Sequence, residues 1–105
     1  MARSALIIEH GRTVTRSITW TDSDGDPINL TGYSVEASIT VGDTSYTLTE
    51  GSGLTVTPLQ GRIALELTDE QTEEFEEQFG TWEVFVTSPS GVEDTLVEGY
   101  VFVSM

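Results

Sequence analysis

Between Tyr33 and Val41 the side chains alternate without a break. Tyr33, Val35, Ala37, Ile39 and Val41 fall on one parity, and Ser34, Glu36, Ser38 and Thr40 on the other. Successive side chains of a strand point to opposite faces, so this run makes a strand with one face buried and one wet. Tyr46 and Leu48 resume the pattern after Gly42-Asp43, which predicts a hairpin. Leu54 and Val56, then Ile63, Leu65 and Leu67, predict a second hairpin.

Turn signals punctuate the chain at His10-Gly11, Asp24-Gly25-Asp26-Pro27, Thr31-Gly32, Gly42-Asp43, Gly51-Ser52-Gly53, Pro58 to Gly61, and Ser88-Pro89-Ser90-Gly91. A spacing of about 8–12 residues between such signals belongs to sandwiches and barrels. The length of 105 residues favours one domain, residues 1–105, with a single core. The expected fold is all-β: an immunoglobulin-like Greek-key β-sandwich with one short connecting helix, a small partly open barrel being the alternative.

That helix is expected from Asp69 to Gln78. Thr68 is a good N-cap with Gln71 as its capping-box partner, Asp69 and Glu70 suit the positive end of the helix dipole, and Gly80 is the stop. Phe75 and Phe79 are four apart and would share a face. Glu73, Glu74, Glu76 and Glu77 repel one another, so the helix depends on docking those two rings.

Two rows depart from simple amphipathicity. Arg16 shares a parity with Val14, Ile18 and Trp20, which places a charge in an apolar row, at a strand end, at a bulge, or beside an acid. An inward charge also discourages edge-to-edge aggregation. Near the C-terminus, Val97, Val101 and Val103 oppose Tyr100 and Phe102, and Phe85 opposes Trp82, Val84 and Val86. Apolar residues on both parities mean a strand covered on both sides, by its own fold or by another chain. Val97, Val101 and Val103, or the side chains opposite them, are therefore candidates for a partner interface. Arg3, Arg12 and Arg16 join them, because they crowd into the first sixteen positions while Asp69 to Glu77 holds six acids. This asymmetry suggests a head-to-tail contact between copies.

The chain has no Lys and no Cys. Four Arg stand against eighteen acids, giving a net charge of −14. A surface of that sign repels phosphate backbones and anionic lipid, so nucleic acid and membrane surfaces are not expected partners; a basic protein suits it better. Without Cys there are no disulfides, and thiolate and Schiff-base chemistry are both excluded. The sole His, His10, lies at a turn and is expected to be solvated. No Gly-x-Ser-x-Gly elbow occurs. Nothing here assembles a catalytic set, and the chain is not expected to be an enzyme.

Asp22, Asp24 and Asp26 have the spacing that begins a calcium loop, where hard oxygen ligands converge on the ion. The helix-loop-helix pattern then needs Gly at its sixth place and Glu at its twelfth, which here are Pro27 and Tyr33. A tight turn capped by Asp side chains is the favoured reading, a weak calcium site the lesser one. No cofactor is expected. Trp20 and Trp82 lie on rows with aliphatic neighbours and are expected in the core, ahead of a sugar-stacking platform.

Several segments together carry a resemblance. They are Ile18-Thr19-Trp20-Thr21-Asp22, Asp24-Gly25-Asp26-Pro27-Ile28, Leu30-Thr31-Gly32-Tyr33, Gly61-Arg62-Ile63, Leu67-Thr68-Asp69-Glu70-Gln71-Thr72, Gly80-Thr81-Trp82-Glu83-Val84, Ser90-Gly91, and Leu96-Val97-Glu98-Gly99. In this the chain resembles small tail-associated phage proteins, especially the N-terminal domain of phage baseplate upper proteins, from about residue 6 to residue 104. The resemblance implies an immunoglobulin-type sandwich without catalytic residues that attaches receptor-binding parts to a virion. In that family further chain follows the domain, whereas this sequence ends at Met105. The expected function is a non-enzymatic adaptor in the phage tail or baseplate, located in the virion, oligomeric, with other phage structural proteins as partners. Capsid decoration of the phage head is one alternative, and a calcium- or carbohydrate-binding module another.

Overall fold

The computed structural model describes residues 2–105. Nine strands form in chain order: β1 Ala2–Arg3, β2 Leu6–Glu9, β3 Val14–Thr19, β4 Ser34–Val41, β5 Thr44–Glu50, β6 Gly53–Thr57, β7 Arg62–Leu67, β8 Phe79–Thr87 and β9 Glu93–Ser104. A short 3-10 turn, Pro58–Gln60, and one α-helix, α1 Asp69–Glu73, complete the described elements. Both expected hairpins form: β4 pairs antiparallel with β5, and β6 with β7.

The hydrogen-bonded order runs β1-β9-β8-β4-β5-β6-β7-β3, with β2 also pairing β9. The joint between β5 and β6 is only two residue pairs long, Thr49↔Gly53 and Glu50↔Leu54. At this joint the path divides into a five-strand layer (β1 and β2 continuing one another, then β9, β8, β4 and β5) and a three-strand layer (β6, β7 and β3). Alternate residues of both layers meet in one core. Val35, Ala37, Ile39 and Val41 of β4 and Trp82, Val84 and Val86 of β8 are buried together with Ile63, Leu65 and Leu67 of β7. The two-residue period sorts each strand between core and solvent.

The helix is shorter than its sequence pattern suggests. The capping box is present: the Thr68 hydroxyl accepts from the Gln71 amide, and the Gln71 side chain accepts from the Thr68 amide. The helix nevertheless stops at Glu73, with Glu74 as its C-cap. Four clustered glutamates favour separation over another helical turn. Only one of the two rings docks. Phe75 is buried with its ring edge-on to Tyr46 at 5.7 Å, whereas Phe79 has left the helix and begins β8.

The acidic helix sits against the loop at residues 10–12 of its own chain. The Thr72 hydroxyl donates to the Arg12 carbonyl at 2.9 Å, and His10 Nε2 donates to the Glu73 carbonyl at 3.1 Å. Arg12 itself meets Glu9 at 3.4 Å. Of the N-terminal basic region expected to meet the acidic helix of another copy, the Arg12 segment lies beside the helix of its own chain. These contacts use backbone carbonyls, and the Arg12 side chain stays largely exposed, as does that of Arg3.

Candidate protein-binding face

Where β9 lies between β2 and β8, its inward parity is fully used. Val97, Val101 and Val103 are 4%, 0% and 0% exposed, so they belong to the domain's own core and are withdrawn as partner contacts. The opposite parity is the free one. Tyr100 is 76% exposed and Phe102 39%, beside Phe79 at 68% and Ile7 at 56%.

Strand register places these residues together. Phe102 is paired with Phe79 of β8 on one side and Ile7 of β2 on the other, and Tyr100 is opposite Thr81. Partners across a ladder point to the same face, so Ile7, Phe102 and Phe79 form one row across three strands. The Phe79 and Phe102 rings meet edge to face, 5.4 Å between centroids. Other exposed apolar side chains, such as Leu59 and Val92, lie in separate loops and need no explanation. A contiguous aromatic row on a sheet face does need one, because water contact with it has a cost of roughly 25 cal/mol per Å² of apolar surface.

Beside this row the same face dips into a hollow of about 670 Å³. Arg3, Ser38, Thr81, Glu83, Glu98 and Tyr100 are among its lining residues. The small side chains of Ser38 and Thr81 leave the space. Glu83 and Glu98 stand directly opposite one another across β8 and β9. Arg3 reaches Glu98 at 4.0 Å, but both side chains keep substantial solvent contact, so the pair contributes little to stability.

The hollow owes its position to a break in the N-terminal strand. Between β1 and β2 the Ser4 carbonyl turns inward and accepts from Trp82 Nε1 at 2.8 Å. A side chain at Gly99 would collide with that carbonyl oxygen, so the approach requires glycine. Arg16 reaches the same break from the facing layer. Its guanidinium donates to the Ala5 carbonyl at 3.2 Å and to the Ser4 hydroxyl, and lies 5.7 Å from the centre of the Trp82 ring. The inward charge in the β3 row is thus satisfied by backbone, hydroxyl and aromatic face, with no acid as ion-pair partner among the described residues. A second cavity of about 560 Å³ lies at this open edge between β3 and β9, with Arg16 in its wall.

The remaining sequence candidates are placed as follows. Asp22 caps a turn: its carboxylate accepts from the amides of Asp24 and Asp26 at 2.9 and 3.0 Å, and Gly25 supplies a φ of 85°. Among the described residues, no three acids or histidines converge in a manner suited to a metal ion. Trp82 is buried, and Trp20 is half-buried against Tyr33 with ring centroids 6.0 Å apart, so the pair makes no sugar platform. Burial, then a hydrogen bond at 2.7 Å to the Glu74 carboxylate and its charge, push the Tyr46 hydroxyl up to about 12.

Comparison with protein families and with curated proteins finds no match. Solved structures do match in fold. A structure of voltage-gated sodium channel beta subunits, from work on their multimeric cell-adhesive interactions by photo-crosslinking, has a TM-score of 0.56 at 16% identity. The match covers 97% of this chain and 92% of that one. The extracellular domain of the sodium channel beta4 subunit, described as parallel homodimers that explain a role in cell-cell adhesion, has a TM-score of 0.52 at 16% identity, covering 100% and 95%. These similarities establish an immunoglobulin-like fold.

They overturn the resemblance to phage baseplate proteins. The two structures described belong to sodium channel beta subunits studied for cell adhesion, not to phage tail proteins. The motifs that carried the resemblance mark turns and caps, such as the Asp22–Pro27 turn and the Thr68 capping box. Any sandwich with these connections calls for them, so they record geometry and not lineage. The tail, baseplate and capsid-decoration readings, the virion location and the phage partners fall with that resemblance.

Proposed function

We propose that this chain is a non-enzymatic, adhesion-type binding module that engages another protein through the outer face of its five-strand layer. The observation that carries this is the exposed row Ile7, Phe102 and Phe79 with Tyr100 beside it, on strands whose other parity is buried. Aromatic side chains near the centre of a contact dominate binding energy, and a rigid sheet holds them with little loss of conformational freedom. The chain's chemistry supports binding over catalysis: there is no Cys or Lys, and its one His is engaged on the Glu73 carbonyl.

A second reading is pairing of two copies through this face. It is favoured by the parallel homodimers described for the beta4 subunit domain, which shares the fold.

A photo-crosslinking side chain introduced at Tyr100, compared with the same group at the exposed Thr15 of β3, tests the face in cells that make the protein. Covalent adducts to a protein from position 100 and none from position 15 are expected. Adducts only from position 15 would contradict the assignment.

A further inference from the structure

We infer that the occupant of this face is a basic protein surface with an apolar centre, rather than a second copy of the chain. The inference rests on the binding face proposed above and identifies its partner by charge. Carboxylates flank the apolar row along the chain before Phe79 and along β8 and β9. Glu76 and Glu77, both exposed, lead into Phe79, and the opposed pair Glu83 and Glu98 lies beyond Thr81 and Tyr100. Like charges directly opposite on a ladder destabilise it, and Arg3 offsets only part of this, at 4.0 Å from Glu98.

Two copies meeting through this face would each bring the same flanking carboxylates. An isologous contact repeats one patch on both sides, so it sets carboxylates near carboxylates, with Arg3 as the cation this hollow supplies. The chains also carry −14 each. A partner with Arg or Lys around aliphatic or aromatic residues reverses every one of these terms. Its cationic side chain fits the hollow between Glu83, Glu98 and Tyr100, where the phenol ring offers an aromatic face to a guanidinium or ammonium group. Its apolar residues cover the Ile7, Phe102 and Phe79 row. Complementary charge of this kind sets partner choice and speeds encounter.

Selection from a random-peptide library on the immobilised domain, at physiological salt, tests this. Enriched peptides are expected to combine Arg or Lys with aromatic or aliphatic residues. Their affinity should fall about tenfold with Glu83→Gln plus Glu98→Gln, and about as much with Tyr100→Ser plus Phe102→Ser. Removal of equal charge elsewhere, by Glu50→Gln plus Glu66→Gln, should weaken them less than about threefold. Unchanged melting temperatures show that each variant folds. Enrichment of neutral or acidic peptides, or equal weakening by the control pair, overturns the inference. A wild-type dimer in sedimentation that Tyr100→Ser plus Phe102→Ser dissolves also overturns it, while leaving the binding face in place. Basic peptides that bind the Tyr100→Ser plus Phe102→Ser variant as well as wild type would remove the inference and the face together.

Discussion

Replacing Phe75 by Ala separates two rings that the sequence makes look equivalent. Phe75 is 1% exposed, edge-on to Tyr46, and follows directly on the helix that Thr68 caps. Deleting a fully buried Phe side chain costs about 3–5 kcal/mol, the sum of lost transfer energy and an unfilled cavity. A domain of this length has a total stability of roughly 5–15 kcal/mol, so the loss is about a fifth of it or more. At about 1–3 kcal/mol per molar urea, the denaturation midpoint should fall by about 1–5 M, measured by circular dichroism. Phe79→Ala is the control. That ring is 68% exposed and gives up chiefly its edge-to-face contact with Phe102, about 0.5–1.5 kcal/mol. Equal losses in the two variants, or a Phe75→Ala cost under about 1 kcal/mol, would refute the account of which ring holds the helix down.

Further predictions concern the cap, the phenol and the charge. Thr68→Ala removes the side-chain half of the capping box and should cost about 1 kcal/mol in the same urea experiment. In an ultraviolet titration, one tyrosine should ionise at about 12, and Tyr46→Phe should abolish that step. Because the folded-state value lies above the ordinary 10.0, the linked stability is fully present below pH 10 and is lost as pH rises from there through 12. Added salt should raise the melting temperature by screening eighteen acids in one small domain. Calcium should do no more than magnesium at equal ionic strength, since the Asp22 carboxylate is committed to backbone amides; a saturable calcium-specific rise would contradict this.

Much of the fold is legible in the sequence because strands announce themselves by parity. Tyr33–Val41 and its hairpin partner can be read directly, and so can Thr68 as a cap. Helix length cannot, because Phe75 and Phe79 have helical spacing in sequence while strand pairing with Phe102 claims Phe79. Tertiary pairing outweighs the propensity of a turn or two of acidic helix. The binding face is half legible. Apolar residues on both parities of β9 signal two covered sides, but parity alone does not say which side is internal. Exposure of Tyr100 and Phe102 settles that, and the valines are the core. Ile7 is hidden inside the run Leu6-Ile7-Ile8, where only the parallel pairing with β9 shows that it points outward. Arg16 is the opposite case: its misfit in an apolar row is visible, but its partners Ser4 and Ala5 come from a strand break that no local pattern encodes.

The most direct test of the central claim is a nuclear magnetic resonance titration of the isotope-labelled domain with one of the selected basic, apolar peptides. Amide shifts should concentrate at Ile7, Phe79, Thr81, Glu83, Glu98, Tyr100 and Phe102, and should shrink as salt is raised. Shifts confined to Val14–Thr19 and Arg62–Leu67, on the three-strand layer, would contradict it.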